Sequence, residues 1–495
     1  MGTERTETAI RRERFSGGPA RSFLSSMDVD ERIFDADLAV DRAHVVMLAE
    51  QGIIDDTEAG EILDALAGVE ADGFDALPAA EDVHEAIESA VIERAGPAGE
   101  RMHTARSRND EVATCLRVRL RDDLLEAAEA TVELRSALLD CARTEAETLM
   151  AGLTHLQPAQ PTTVGHWAAS YASTVERDTE RLLDTYARLN HSPLGAAAFA
   201  GTPFPIDRER TAALLGFDGI VENAMDASSS RDVFLEATGA CLVLGTTLSG
   251  ISEDMILFTH RGDVELDDDY ASTSSIMPQK KNPDTLELSR ARAGDTLASV
   301  TGLATTLKGL PRAYNRDLQR ASRHVWQGID AVTEATPVVA GAISTATWRR
   351  EELADAAGEG FSTATGVADA LTEAGVPFRT AHEVVAEAAK RLEDGDADVS
   401  NPEAQMDAIR LVAREDDDIG SIETYLDETH VADVLDPAAS VAARDSSGGP
   451  APESLRENCE HLEATLQTHR SAIADRRAAL GDAAHALAAE VGTYV

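Results

Sequence analysis

One segment, residues 110–150, constrains the fold of this chain more than any other. It reads DEVATCLRVRLRDDLLEAAEATVELRSALLDCARTEAETLM and contains neither glycine nor proline, the residues least compatible with a helix interior. Its apolar residues recur every three to four positions, which is the spacing of one face of an α-helix. A helix of this length would reach about 60 Å. The segment therefore predicts a bundle of long helices, and its length favours sharing of that bundle between subunits.

Three further tracts have the same helical texture: 164–190, 228–261 and 285–307. Alternating β-branched runs are almost absent, so the chain is predicted to be mainly α. Shorter helices precede this region, and short Ala/Glu-rich helices with acidic loops follow it. The predicted domains are an N-terminal helical domain (1–107), a central long-helix bundle (108–358) and a small C-terminal helical domain (359–495).

The charge balance is extreme, with 89 Asp and Glu residues against 44 Lys and Arg residues and a formal net charge of −45. Nucleic-acid binding needs a positive stripe, and none is visible in the sequence. Dense carboxylates keep a surface hydrated, while concentrated salt screens their mutual repulsion. This composition is typical of proteins from the salt-loaded cytoplasm of haloarchaea, and it predicts instability at low salt.

Several features favour a soluble cytoplasmic protein. The N-terminus has no apolar segment typical of a signal peptide, and no window of about 18 apolar residues indicates a membrane span. The four cysteines, Cys115, Cys141, Cys241 and Cys459, form no CxxC pair and no ligand-like cluster. They are predicted to be buried small apolar residues in a reducing compartment.

Three polar segments interrupt the helices: HTARSRNDE (103–111), GLTHLQPAQP (152–161) and STSSIMPQKKNPDTLE (272–287). The last is rich in Ser, Pro and Asn, which favour a loop over a helix. The chain contains only four lysines, and two of them, Lys280 and Lys281, stand side by side in this loop. Such a placement indicates a binding or catalytic role more than a solvated turn.

The residue types in these segments suit acid/base chemistry. An imidazole titrates near neutrality, so His155 can act as an acid or a base, although a lone histidine is more often a structural hydrogen-bonding residue. The lysines near Ser274 would ease ionisation of its hydroxyl or clamp a carboxylate. Glu287, on the following helix, could orient an imidazole. Together these features suggest a carboxylate substrate, without a metal, a cofactor or a nucleotide.

The stretch SSIMPQKKNPD (274–284) resembles the signature of the aspartase/fumarase superfamily, whose members release fumarate from four-carbon acids. THLQPAQP and TARSRNDE resemble its two other shared regions. Within the superfamily, the QKKN form of the signature is similar to that of the argininosuccinate lyases. Further stretches resemble the same family: HTARSRND, PLGAAAFAGTPFPIDRE, AYNRDLQ and GVPFRTAHEVV.

This resemblance implies cleavage of argininosuccinate to arginine and fumarate, the last step of arginine biosynthesis. It implies a mainly helical, three-domain fumarase/aspartase-like subunit with a long central bundle. The subunits are expected to form a homotetramer in which each active site combines the three motif regions from three different chains. A stiff helical scaffold would hold such a divided site in place.

The resemblance also assigns catalytic roles. Ser274 matches the general base, which acts when its loop closes and excludes water. Lys280 and Asn282 match groups that stabilise the dianionic, aci-carboxylate-like intermediate. His155, paired with Glu287, matches the group that protonates the departing guanidino nitrogen or supports that transfer. The sequence leaves open which of Ser274 and His155 moves which proton.

Six positions match the substrate contacts of the family. Asn109 and Thr154 match contacts to the succinyl part of the substrate. Tyr314 and Gln319 match contacts to its arginine part. The other two positions are Ser26 and Arg108. Ser26 resembles an N-terminal substrate serine, and the planar fork of Arg108 suits a carboxylate.

Two of the chain's departures from the family pattern fall at positions tied to the site. The family has glycine before the catalytic serine, where this chain has Thr273. A family lysine that contacts substrate falls on Ser322. The next residue, Arg323, would point about 100° further around a helix, so neither of these two is a predicted site residue.

Three alternatives differ from this interpretation. A sister lyase acting on adenylosuccinate would need a purine site, and the QKKNPD and SRND motifs argue against one. A non-catalytic, crystallin-like relative is a second alternative, and a binding or scaffold protein built on long helices is a third. A non-catalytic role would survive replacement of Ser274 or His155, whereas an enzyme would lose activity by orders of magnitude.

Overall fold

The structure is a computed structural model that describes residues 19–395, 398–416 and 419–495. Residues 1–18, which open the first predicted domain, lie outside the described part. The described chain is mainly α-helical, and its strands form four short two-stranded ladders. The prediction of a mainly α fold is confirmed.

The helices follow one another from the N-terminal region to the end of the chain. The first group comprises α1 (Pro19–Leu24), α2 (Met27–Asp30), α3 (Phe34–Glu50), α4 (Asp56–Asp72) and α5 (Val83–Ala95). The central group comprises α6 (Arg108–Thr144), α7 (Val164–Leu189), α8 (Arg208–Leu214), α9 (Ala224–Ser229), α10 (Asp232–Arg261), α11 (Asp284–Leu307) and α12 (Ala321–Thr345). The last group comprises α13 (Arg350–Ala357), α14 (Ala364–Glu373), α15 (Phe378–Glu393), α16 (Pro402–Glu415), α17 (Glu428–Leu435), α18 (Pro437–Ala442) and α19 (Pro452–Val491).

The strands form ladders between neighbouring or distant parts of the chain. Three ladders are antiparallel and join β1 (Leu149–Thr154) with β2 (Gln157–Thr163), β5 (Val264–Glu265) with β8 (Thr347–Trp348), and β6 (Ser272–Thr273) with β7 (Lys281–Asn282). The fourth joins β3 (His191–Ser192) with β4 (Gly219–Ile220) in parallel.

The long helix predicted over 110–150 ends at Thr144. At that point the carbonyl of Glu145 accepts a hydrogen bond from the amide of Gly165 (2.9 Å), and the carbonyl of Thr148 accepts one from the amide of Val164 (2.9 Å). These contacts connect the end of α6 to the start of α7, and the residues between them form β1 and β2. The absence of glycine and proline over 110–150 permits a helix throughout this segment. The helix nevertheless ends at Thr144, because the residues that follow pair with the segment at the start of α7.

The long helices pack as a bundle. α6 packs along α7 and α12, and α11 packs against α10 and α12. By length and composition, α10 could cross a membrane, which corrects the expectation that no such apolar window exists. More than half of this window is buried inside the fold. This burial is that of a core helix.

The described residues form two hydrophobic cores. The larger runs through the bundle and the N-terminal helices, and the smaller lies among α14–α17. Helix α19 packs against α6 and α7 and contributes to the larger core. The division of the chain at 107 and 358 stays a prediction. All four cysteines are buried and free of disulfides, as predicted.

Candidate active site

A cavity of about 170 Å³ lies at the start of α6, between the N-terminal helices and the segment 314–322. We call it the α6 cavity. Five of the six residues predicted to bind substrate line it: Ser26, Arg108, Asn109, Tyr314 and Gln319. They come from three distant stretches of the chain, so the tertiary fold brings them together. Their contacts with a substrate stay a prediction.

Helix capping positions Arg108 and Asn109 in the first turn of α6. The Ser107 hydroxyl accepts a hydrogen bond from the Asn109 amide (3.3 Å), and Asp110 Oδ1 accepts one from the Ser107 amide (2.9 Å). This capping box fixes where the helix begins. Arg108 Nη1 donates to Asp82 Oδ2 (3.2 Å), while its Nη2 is buried without a hydrogen-bond partner. That second nitrogen is available to a bound carboxylate.

The segment after α11 contributes Tyr314 and Gln319 to the lining of the cavity. Gln319 Nε2 donates to the carbonyl of Leu24 (2.8 Å). Arg316 Nη2 donates to Glu81 Oε1 (2.6 Å). These two contacts tie the segment to the N-terminal helices, so both walls of the cavity are held in place.

Ser322 and Arg323, in the first turn of α12, differ in their contacts. Ser322, where the family has lysine, lines the α6 cavity. Arg323 does not line it and instead forms an ion pair with Asp28. No cation therefore enters the cavity from either of these positions.

Six titratable residues that line the α6 cavity are not among the predicted site residues, and two of these, Asp30 and His84, have strongly raised pKa values. Asp30 Oδ2 accepts hydrogen bonds from Ser26 Oγ (2.7 Å) and the Val83 amide (3.2 Å), and burial raises the pKa of Asp30 to about 6. His84 Nδ1 lies 2.8 Å from Asp37 Oδ2. Burial disfavours the imidazolium, but the carboxylates of Asp37, Glu111 and Asp82 together outweigh burial and raise the pKa of His84 to about 10. Their signal in the sequence is weak, since an acid or a histidine at a helix terminus is usually structural.

A buried cluster of charged side chains lies behind His84. Arg106 Nη1 pairs with Asp41 Oδ1 (2.5 Å), and Arg106 Nη2 pairs with Glu111 Oε1 (3.1 Å). Together with Asp37, the cluster sets three carboxylates against two cations, all of them buried. Burial raises the pKa of Glu111 to about 8. Burial also raises the pKa of Asp41, to about 7, and a proton on one of these acids would balance the charge of the cluster.

Thr154 and His155 lie on a hairpin outside the α6 cavity. The predicted loop 152–161 is formed by β1 and β2, which a two-residue turn at His155 and Leu156 connects. Both turn residues have positive φ (57° and 58°), as a type I′ turn requires. Thr154 and His155 line a groove of about 680 Å³ together with Trp167. His155 is exposed at the end of this hairpin.

The loop 272–287, which we call the signature loop, contains a ladder of its own between β6 and β7. Ser274 Oγ accepts a hydrogen bond from the Met277 amide (3.1 Å) in the turn that joins these strands. Lys280 is exposed at the end of the turn, and Asn282 is half-buried in β7. The loop thus places Ser274, Lys280 and Asn282 on one small structure.

Glu287 lies in the first turn of α11 and is exposed. The predicted pair of Glu287 with His155 is not formed within the single chain, in which both residues are described.

Lys281 Nζ pairs with Asp268 Oδ1 (2.7 Å), so its charge is compensated inside the chain. The five predicted catalytic residues are all described, and none of them lines the α6 cavity.

Comparison with known proteins identifies the family. A family model described as lyase matches residues 23–297, and one described as argininosuccinate lyase C-terminal matches residues 361–442. The argininosuccinate lyase of Halobacterium salinarum is 62% identical over 99% of this chain and 99% of its own length. That of Haloarcula marismortui is 60% identical over 99% of this chain and 97% of its own.

A solved structure agrees with these relatives. The crystal structure of EDDS lyase in complex with formate has a TM-score of 0.84 and 32% identity, and the match covers 96% of each chain. The mainly helical fold with its long central bundle is thus that of a known lyase. The chain belongs to the argininosuccinate lyase family.

Proposed function

We propose that the chain cleaves argininosuccinate into arginine and fumarate, as the last step of arginine biosynthesis. Relatives at 60% and 62% identity carry the name argininosuccinate lyase, which favours this substrate over adenylosuccinate and favours an enzyme over a crystallin-like role. The α6 cavity carries the proposal, because it gathers five predicted contacts to the two parts of this substrate. The cations around it suit a substrate rich in carboxylates.

The proposed reaction is a β-elimination. Ser274 removes a proton from the carbon next to one carboxylate, and the electron pair that remains forms the double bond of fumarate. The bond from the neighbouring carbon to the guanidino nitrogen breaks, and His155, oriented by Glu287, donates a proton to that nitrogen or supports the donation. The intermediate is a dianion, so fixed donors and positive charge lower its energy. Lys280 and Asn282 supply these groups.

We further propose a homotetramer with shared active sites. Only five of the 24 residues of α11 are buried, and its exposed surface includes Leu288 and Leu297. An apolar surface on a central helix suits contact with another copy of the chain. In such an assembly, the hairpin and the signature loop of other subunits would complete the α6 cavity.

The proposed location is the cytoplasm, where concentrated salt screens the acidic surface.

Ultraviolet detection of fumarate tests the reaction. The purified protein would be mixed in about 2 M potassium chloride, a salt level that leaves a Debye length of only a few ångströms, with argininosuccinate. Adenylosuccinate, malate and aspartate would run in parallel. We expect fumarate from argininosuccinate alone. Fumarate from another acid would overturn the substrate, and no fumarate from a folded tetramer would overturn the catalytic role.

A pair of neighbouring serines tests the assignment of the base. We expect Ser274→Ala to lower kcat by about 100-fold or more, since general base catalysis typically contributes this much. Ser275→Ala is the matched control and should stay close to the wild-type rate. Loss of activity in Ser275→Ala but not in Ser274→Ala would move the base to the neighbouring hydroxyl.

A further inference from the structure

Arg231 stands between two cavities. It precedes α10, is only 3% exposed, and lines both the α6 cavity and a neighbouring cavity of about 500 Å³ that borders residues 310–313. Leu318 also lines both cavities. Arg231 therefore lies on the side of the α6 cavity that is formed by the segment carrying Tyr314 and Gln319.

The guanidinium of Arg231 forms no ion pair with any residue that the structure describes. Its Nη1 donates to the Ser230 carbonyl (2.9 Å), its Cζ lies 5.4 Å from the centroid of the Phe234 ring, and its Nε is buried without a hydrogen-bond partner. Burial lowers the pKa of Arg231 to about 10, and the like charge of Arg117 adds to this effect. Arg117 is itself buried and donates to the Leu189 carbonyl (3.0 Å) and the Ser230 hydroxyl (3.2 Å).

The other arginines of the α6 cavity already have acidic partners. Arg108 pairs with Asp82 and Arg316 pairs with Glu81. A buried guanidinium without a counter-ion is unfavourable, and a bound anion would remove that cost. The planar fork of arginine suits a carboxylate in particular. Arg231 is thus the arginine of this cavity whose buried charge a bound anion would stabilise most.

We propose that Arg231 binds the α-carboxylate of the arginine part of the substrate. This assignment rests on the proposed function and deepens it. Tyr314 and Gln319, the predicted contacts to the arginine part, lie on the same side of the cavity. Burial raises the pKa of the Tyr314 hydroxyl, and the nearby charges of Arg316 and Arg231 oppose this rise. Arg231 holds a group far from the reacting carbons, so it selects an amino acid over an amine at this end.

Inhibition by L-arginine and by agmatine tests the assignment. Agmatine has the same guanidino group but lacks the α-carboxylate. We expect L-arginine to inhibit fumarate release by the wild-type protein about 10- to 100-fold more strongly than agmatine, the range of one charge-assisted pair. Equal inhibition by the two compounds would overturn the proposal without any variant.

Replacement of Arg231 tests directly whether this side chain binds the α-carboxylate. In Arg231→Gln, the inhibition constant of L-arginine should rise about 10-fold or more while that of agmatine stays constant, and KM should rise more than kcat falls. Arg231→Lys keeps the charge but loses the fork, so we expect an intermediate effect. Arg312→Gln is the matched control, because Arg312 borders only the neighbouring cavity and pairs with Asp226.

Two results would overturn the assignment. One is a folded Arg231→Gln variant that prefers L-arginine over agmatine as strongly as the wild-type protein does. The other is a variant in which inhibition by succinate weakens while inhibition by L-arginine does not change, since that would place Arg231 at the succinyl part. If the wild-type protein releases no fumarate from argininosuccinate, the proposed function fails. If it releases fumarate but shows no preference for L-arginine, this inference alone fails.

Discussion

At the scale of single residues, the protein buries charge where most proteins place apolar side chains. Asp37, Asp41 and Glu111 are almost inaccessible, and the two cations that balance them, His84 and Arg106, are buried as well. Ion pairs of this kind contribute little net stability, because desolvation offsets the attraction. Removal of one partner is costly, however, so the cluster holds α3, α5 and the start of α6 in one arrangement beside the α6 cavity.

This cluster predicts a loss of stability at alkaline pH. The pKa of His84 is about 10 in the folded protein and about 6.5 in an unfolded chain. Between these values the folded state binds more protons, so stability present below pH 6.5 is lost as the pH rises through 10. The raised pKa of Glu111 acts in the same direction at lower pH. We expect the free energy of unfolding to fall by roughly 2–4 kcal/mol across this window.

Denaturant unfolding at a series of pH values and constant potassium chloride measures this effect. His84→Gln should flatten the pH dependence, although it should also lower stability by leaving Asp37 unpaired. His430→Gln is the control, because His430 is exposed. A free energy of unfolding that stays constant or rises from pH 6.5 to 10 would contradict the pairing of His84 with Asp37.

At the scale of elements, the corner between α6 and α7 depends on a close approach of two backbones. A Cβ atom on Gly165, in the first turn of α7, would lie 2.5 Å from the Ala142 carbonyl oxygen and 2.7 Å from the Ala146 Cα. Neither atom can move without shifting the end of α6. This corner also begins and ends the hairpin that carries His155, so its geometry positions a predicted catalytic group.

We expect Gly165→Ala to lower the free energy of unfolding by about 1–3 kcal/mol, the usual cost of overpacking. Gly481→Ala is the matched control in α19, where a Cβ atom would meet nothing within 4 Å. That replacement should stabilise the protein by about 0.5–1 kcal/mol, because alanine favours a helix over glycine. Thermal and denaturant unfolding of both variants measures these changes in the free energy of unfolding. Equal effects would show that the two backbones do not approach so closely.

At the scale of the whole molecule, the net charge of −45 decides where the protein is stable. The Debye length falls from about 10 Å at 0.1 M salt to about 3 Å at 1 M, so repulsion between surface carboxylates is strong only in dilute salt. We expect the Tm to rise by about 10 °C or more between these concentrations of potassium chloride. Sucrose, which raises osmolality without screening, should give a much smaller rise. Similar effects of the two solutes would exclude charge screening as the cause.

The proposed sharing of active sites predicts complementation between inactive variants. Ser274→Ala and a second variant, His155→Asn, should each be almost inactive as pure tetramers. In tetramers assembled from an equal mixture, about a quarter of the sites would receive both intact residues if these come from different subunits. Co-expression with two affinity tags, followed by the fumarate assay, measures this fraction. Mixed tetramers without activity would place Ser274 and His155 of one site on the same subunit.

Residue patterns predicted the long helices, and the resemblance to a known family pointed to five of the residues that line the α6 cavity. The helices predicted over 164–190 and 285–307 agree with α7 and α11 to within one residue at each end. Their patterns could be read from the sequence because helix formation depends on neighbours within a few positions. Ser26, Arg108 and Tyr314 were found through motifs, which are local as well. The predicted roles of the catalytic residues await experiment.

Long-range contacts decided what the sequence by itself did not. The end of α6 at Thr144 depends on hydrogen bonds to the start of α7, and the turn at His155 closes the ladder between β1 and β2. His84 is held in its charged form by neighbouring carboxylates, and Arg231 is buried without an ion-pair partner among the described residues. In water the same imidazole would be mostly neutral at pH 7, and the same guanidinium would be an ordinary hydrated cation. The sequence determined the helical class, the family motifs and the charge. Tertiary structure alone decided which charges are buried and which of them lack a partner, because burial depends on segments that are far apart in the chain.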